Sequence, residues 1–208
     1  MSRVLSKQCD TKYKCIIAHE RSWAGALATS LRQARPVSVW EVLMPFLLIF
    51  NYARRKTDRE IFIQNVLYTK ELALKAALGL AKSGRGRSEA ITLVEEKTRK
   101  LLSTVDEAIY SEEIRQKQLV EMDLLIDHYA RLLAADGRDY RTLVINSYRT
   151  RDLYVSFLEQ LKHAEREVNI SALKTVGSRG DPQFVQRIEE KIDSLRMASV
   201  ERIFGESG

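Results

Sequence analysis

Residues that break a helix are rare in this chain. Prolines occur only at Pro36, Pro45 and Pro182, and most of the nine glycines gather in two short clusters or near the chain end. Long uninterrupted runs of mixed charge favour helices over many short strands. Hydrophobic residues make up 45% and charged residues 30%, an ordinary globular balance rather than a disordered one.

Apolar spacing fills these runs with helices. Ile16, Ile17, Trp23, Ala24, Leu27 and Leu31 recur at helical spacing over residues 11–34, and Arg35-Pro36 ends that run. Asp58 is placed to cap a helix reaching Lys82, with a stripe of Ile61, Asn65, Tyr68, Leu72 and Ala76. After the basic connector Ser83-Gly-Arg-Gly-Arg87, Ser88 caps a helix carrying Ile91, Val94, Leu101, Val105 and Ile109. Ser111 opens another, with Ile114, Met122, Leu125, Tyr129 and Leu132 on one seam; Asp136-Gly137 stops it. A single long helix is expected from Asp139 to Val176, its heptad-like stripe of Tyr154, Leu158, Leu161, Val168 and Ala172 spoiled by Glu165. Asp181-Pro182 is a clear start for the last helix, which carries Val185, Ile188, Ile192 and Leu195. The expected fold is all-α: an elongated antiparallel bundle of about six helices with coiled-coil-like packing.

Charge divides the chain in two. Residues 1–56 hold ten Lys or Arg against three acidic residues, a net +7, whereas residues 57–208 carry −1. The expected organisation is a basic N-terminal helix with an apolar Pro-kinked segment (1–56) continuous with a charge-balanced bundle (57–208). The apolar segment, residues 37–50, is apolar nearly all round and interrupted by Pro45. Its 14 residues span about 21 Å as a helix, short of the roughly 30 Å hydrocarbon core. Arg35 precedes it and Arg54, Arg55 and Lys56 follow it. Basic residues at both ends suit a segment that dips into an anionic leaflet and returns, with Trp40, Phe46, Leu47 and Phe50 as apolar contacts. Burial as a core helix or in a homodimer interface are the competing readings.

Candidate chemistry is sparse. Glu159, His163 and Glu167 stand at i, i+4 and i+8 and could present a metal from one helix face, although helices rich in Glu produce such spacing by chance. Glu121, Asp123, Asp127 and His128 form a second acidic turn, read first as a boundary histidine beside an acid. Cys9, Cys15 and His19 lack a CxxC and a fourth ligand. The Gly84–Arg87 loop lacks the phosphate-loop lysine, although its arginines stand where they could meet a phosphate. Tyrosines at 140, 148 and 154 near Arg141, Arg149 and Arg151 read as a partly buried aromatic face, and nucleic-acid binding is disfavoured.

With two cysteines and no apolar signal core, the expected compartment is cytoplasmic, peripheral to the inner membrane face. The expected function is a non-enzymatic interaction or adaptor protein without a cofactor, whose partner is a protein, a second copy or an anionic membrane surface. The alternatives are a metal- or small-ligand-binding helical bundle, with or without enzymatic activity, and, second, a nucleic-acid-binding helical protein.

Overall fold

The computed structural model describes residues 2–31, 58–83, 86–103 and 110–205. These form seven α-helices and no strand: α1 (Ser2–Ser30), α2 (Asp58–Ser83), α3 (Arg87–Leu102), α4 (Glu112–Ala134), α5 (Tyr140–Tyr148), α6 (Arg151–Val176) and α7 (Pro182–Phe204). A 3-10 turn, Gly177–Arg179, joins α6 to α7. The fold is an all-α bundle. α2 lies most extensively on α4, α1 covers α2, and α6 packs on α4 and α7. No helix among the described residues is long and apolar enough to cross a membrane.

Local chemistry sets the ends of these helices. The Ser111 hydroxyl accepts from the Ile114 amide, and Glu112 and Glu113 in the first turn oppose the positive helix end. Asp181 accepts from the Gln183 and Phe184 amides, with Pro182 at the first helical position, as the sequence predicts. Gly177 supplies the φ of 58° that closes α6.

One expected helix is two. The run from Asp139 to Val176 breaks at Arg149 and Thr150. Arg149 takes a φ of 67°, its amide donates to the Ile145 carbonyl, and the Thr150 hydroxyl caps α6 by accepting from Leu153. The reason lies in the core. In one continuous helix Tyr148 and Tyr154 would point roughly 120° apart. The break turns both inward, with ring centroids 5.0 Å apart.

The core follows the predicted seams. Ile114, Met122, Leu125, Tyr129 and Leu132 of α4 are all buried. So are Tyr154, Leu158, Leu161, Val168 and Ala172 of α6. A second cluster joins Leu27 and Leu31 of α1 to Phe62 of α2 and to Phe184, Val185 and Ile188 of α7. Between the two clusters the interior is polar.

Candidate functional site

The interior polar residues come from every long helix around the bundle axis. α1 supplies His19, Glu20 and Trp23, α2 supplies Asn65, Thr69 and Lys70, and α4 supplies Gln118, Glu121, His128 and Tyr129. α6 adds Glu165 and Asn169, and α7 adds Arg196. They line two adjoining hollows. The larger, ≈ 90 Å³, lies among Trp23, Asn65, Lys70, Glu121, Glu165 and Ile188. The smaller, ≈ 40 Å³, lies among His19, Glu20, His128, Tyr154 and Arg196. Trp23 and Lys70 stand in the walls of both.

Most of these groups are paired. The Lys70 ammonium donates to Glu20 Oε2 at 2.5 Å and sits 4.2 Å from the centre of the Trp23 ring. The Tyr129 hydroxyl donates to the other Glu20 oxygen at 2.9 Å. The Arg196 guanidinium grips both oxygens of Glu165, at 2.8 and 2.6 Å, in the bidentate form that guanidinium and carboxylate favour. His128 Nδ1 and the Tyr148 hydroxyl are 2.7 Å apart. Gln118 accepts from the Tyr110 hydroxyl, and Asn169 donates to Glu189.

Asn65 and Glu121 are the exceptions. Asn65 is 3% exposed and lines the larger hollow, yet both its amide nitrogen and its carbonyl oxygen lack a hydrogen-bond partner. Besides one Arg115 guanidinium nitrogen, these are the buried side-chain atoms without a partner among the described residues. Glu121 lines the same hollow and receives no hydrogen bond or ion pair from them.

Burial decides how these groups ionise. It pushes the Glu121 carboxyl up to about 8. The Glu165 charge adds to the rise, while Lys70 and Arg196 oppose it. Burial would also raise Glu20, but the charge and hydrogen bond of Lys70 win and hold it below the usual carboxylate range. His128 is driven down to about 3 by burial against the pull of Glu20, so it stays neutral. The site therefore combines two ion pairs, one carboxyl raised by its surroundings and one amide without a partner.

The chain matches no protein-family model, and neither the curated proteins nor the solved structures include one similar to it.

The residues singled out in the sequence meet different fates. Glu159 and His163 are exposed on α6, and Glu167 accepts from Lys117 of α4 at 2.8 Å. Among the described residues, no three His, Cys, Asp or Glu side chains are gathered where they could hold a metal ion. His19 is stacked on Tyr140, with centroids 3.5 Å apart, while Cys9 and Cys15 are free thiols. Asp123 and Asp127 turn outward and share Arg87 at 2.8 and 2.5 Å, which ties the start of α3 to α4. His128 faces Tyr148 inside the bundle rather than a boundary acid. Arg35, Trp40, Phe46, Leu47, Phe50, Arg54, Arg55 and Lys56 lie outside the described residues. A further concavity, ≈ 1200 Å³, is an open groove between α1 and α2 lined by exposed groups such as Arg21 and Arg59.

Two signals of the interior site stand in the sequence. Asn65 interrupts an otherwise apolar stripe, and Glu165 occupies a core position of a heptad-like run. Both read as blemishes until the partners from other helices are known.

Proposed function

We propose that this protein is a helical binding protein that holds a small polar molecule in the hollow between α1, α2, α4, α6 and α7. The buried, unpartnered Asn65 amide carries the reading. An unsatisfied buried polar group costs about 1–3 kcal/mol. The groups around it are paired with care, so the packing is able to satisfy polar atoms here. A ligand that accepts from Asn65 Nδ2 or donates to its Oδ1 would remove that penalty. Glu121 beside it supplies a second hydrogen-bonding group that can change charge.

Saturation-transfer NMR with small alcohols, amides, amines and carboxylic acids tests the reading on the wild-type chain and on Asn65→Leu, which fills the hollow with apolar volume. At least one probe is expected to receive magnetisation from the wild type and to lose it in a variant of unchanged helicity. A probe present at a hundred times its Kd should stabilise the fold by about 2.7 kcal/mol. Equal transfer from both proteins, or none from either, contradicts the reading.

A second reading concerns residues 1–56 and rests on a different observation, the +7 charge that coincides with the apolar segment. We propose that this region docks on an anionic membrane surface. Each cation near anionic lipid contributes about 1 kcal/mol. Changing Arg54, Arg55 and Lys56 together to glutamate is expected to weaken co-sedimentation with phosphatidylserine vesicles by about a hundredfold or more. Undiminished co-sedimentation would remove this reading and leave a protein partner as the alternative.

A further inference from the structure

We infer, on the reading that the larger hollow is a ligand site, that its ligand is a small organic cation bearing a primary ammonium group. The charges in its walls lead to this class. Glu20 is matched by Lys70, and Glu165 by Arg196, each at hydrogen-bond distance. Glu121 is the carboxyl left over, with no partner among the described residues. Asn65 Oδ1, also unpartnered, is an acceptor in the same wall.

The indole of Trp23 forms an aromatic side of the hollow and already attracts cations, with Lys70 at 4.2 Å and the Arg196 guanidinium at 6.0 Å. An ammonium group would be the donor for two acceptors that have none, while its short carbon chain would lie against Val66, Ile188 and Ile192. An anion would find no unpaired cation in these walls, since Lys70 is held by Glu20 and Arg196 by Glu165. An apolar guest would leave Asn65 unsatisfied. A metal ion would need a gathered ligand set, which the described residues do not form. A volume of ≈ 90 Å³ limits the guest to a few heavy atoms.

Desolvation and the Glu165 charge raise the Glu121 carboxyl, so a cation that ion-pairs with it displaces a proton. The groups facing Glu121 are Lys70 from α2, Glu165 from α6 and Arg196 from α7, with neutral Trp23 from α1. Glu121, raised to about 8, is the wall group that titrates near neutrality. Binding therefore tightens by up to about tenfold per pH unit between pH 6 and 8, and close to one proton leaves at pH 7.

The test is titration calorimetry of the full chain with n-propylammonium chloride, in two buffers of different ionisation enthalpy and at pH 6, 7 and 8. 1-Propanol and propionate serve as neutral and anionic isosteres, with Glu121→Gln and Asn65→Leu as variants whose helicity is checked first. The inference expects propylammonium to bind the wild type with proton release and a pH-dependent Kd. Both variants should lose at least tenfold in affinity, and propanol and propionate should bind far more weakly.

Propylammonium binding that is independent of pH and unchanged in Glu121→Gln would overturn it. Propanol or propionate binding that requires Asn65, without propylammonium binding, would overturn the cation class and leave the ligand site standing. Binding of none of the three would overturn this inference and count against the ligand site itself. If Glu121→Gln fails to fold, the pH dependence and proton release in the wild type still decide.

Discussion

Glu20→Ala is expected to destabilise the bundle by about 3–5 kcal/mol, the usual loss when one member of a buried ion pair is removed. Glu20 is 5% exposed and serves two partners from two helices, the Lys70 ammonium and the Tyr129 hydroxyl. Removing it strands a cation whose side chain is only 12% exposed, and leaves a buried phenol without its acceptor. For a domain of this size the melting temperature should drop by about 6–20 °C. The double variant Glu20→Leu with Lys70→Met should recover most of that loss, because a matched apolar pair carries no stranded charge. The exposed pair Arg151–Glu201 sets the contrast. Its members are 46% and 61% exposed, and breaking it should leave stability nearly unchanged. Urea unfolding of the four proteins measures these differences. A Glu20→Ala loss no larger than that of the surface pair would mean that the interior network is hydrated or unformed.

The second large effect is a stability profile that declines above neutrality for one reason and below it for another. Glu121 has its carboxyl raised in the folded protein from an ordinary 4.5 to about 8. Between those values the folded state holds a proton that the unfolded chain has lost, so stability falls as pH rises through the window. His128 is shifted the other way, from 6.5 to about 3. Between pH 6.5 and 3 the unfolded chain takes up a proton that the folded state refuses, so stability falls as pH falls.

His19, lowered by burial against the pull of Glu20, acts in the same sense as His128. Glu20, held below its ordinary range, adds its own loss as pH drops beneath 4.5. One proton corresponds to about 1.4 kcal/mol per pH unit. The effects of Glu121 and His128 nearly cancel between 4.5 and 6.5, and above that Glu121 stands alone. Stability should then fall by about 1–1.5 kcal/mol between pH 6.5 and 8. Glu121→Gln should abolish that decline, and His128→Gln should make the acid limb shallower. Chemical denaturation at half-unit pH steps checks both. A wild-type profile that is flat from 6.5 to 8, or a Glu121→Gln profile that still declines, would mean that Glu121, half-buried in the wall of the hollow, is hydrated enough to titrate as an ordinary carboxylate.

The helices were legible because their signals are local. The α4 seam repeats every three or four residues, and the α7 start is written in two adjacent residues, Asp181 and Pro182. The break between α5 and α6 was not. Arg149 takes a left-handed conformation without being glycine, and the gain lies in burying Tyr148 and Tyr154 together, which no short window reveals. The interior site was hidden for a similar reason. Glu20 meets Lys70 across 50 residues of sequence and Tyr129 across 109. Spacing rules favour groups that share one helix face, and so they drew attention to Glu159, His163 and Glu167. Of these, Glu159 and His163 are exposed and Glu167 is spent on Lys117. A polar residue inside an apolar stripe, as at Asn65 and Glu165, was the better guide to the site.

The most direct test of the central claim is a high-resolution crystal structure of the purified protein, read in the hollow between Asn65, Glu121 and Trp23. A site built for a guest predicts ordered non-protein density there, water or ligand, within hydrogen-bond distance of the Asn65 amide and the Glu121 carboxyl. A collapsed hollow, in which Asn65 bonds directly to Glu121 or Gln118 and no density intervenes, would contradict it and make the polar interior a packing network alone.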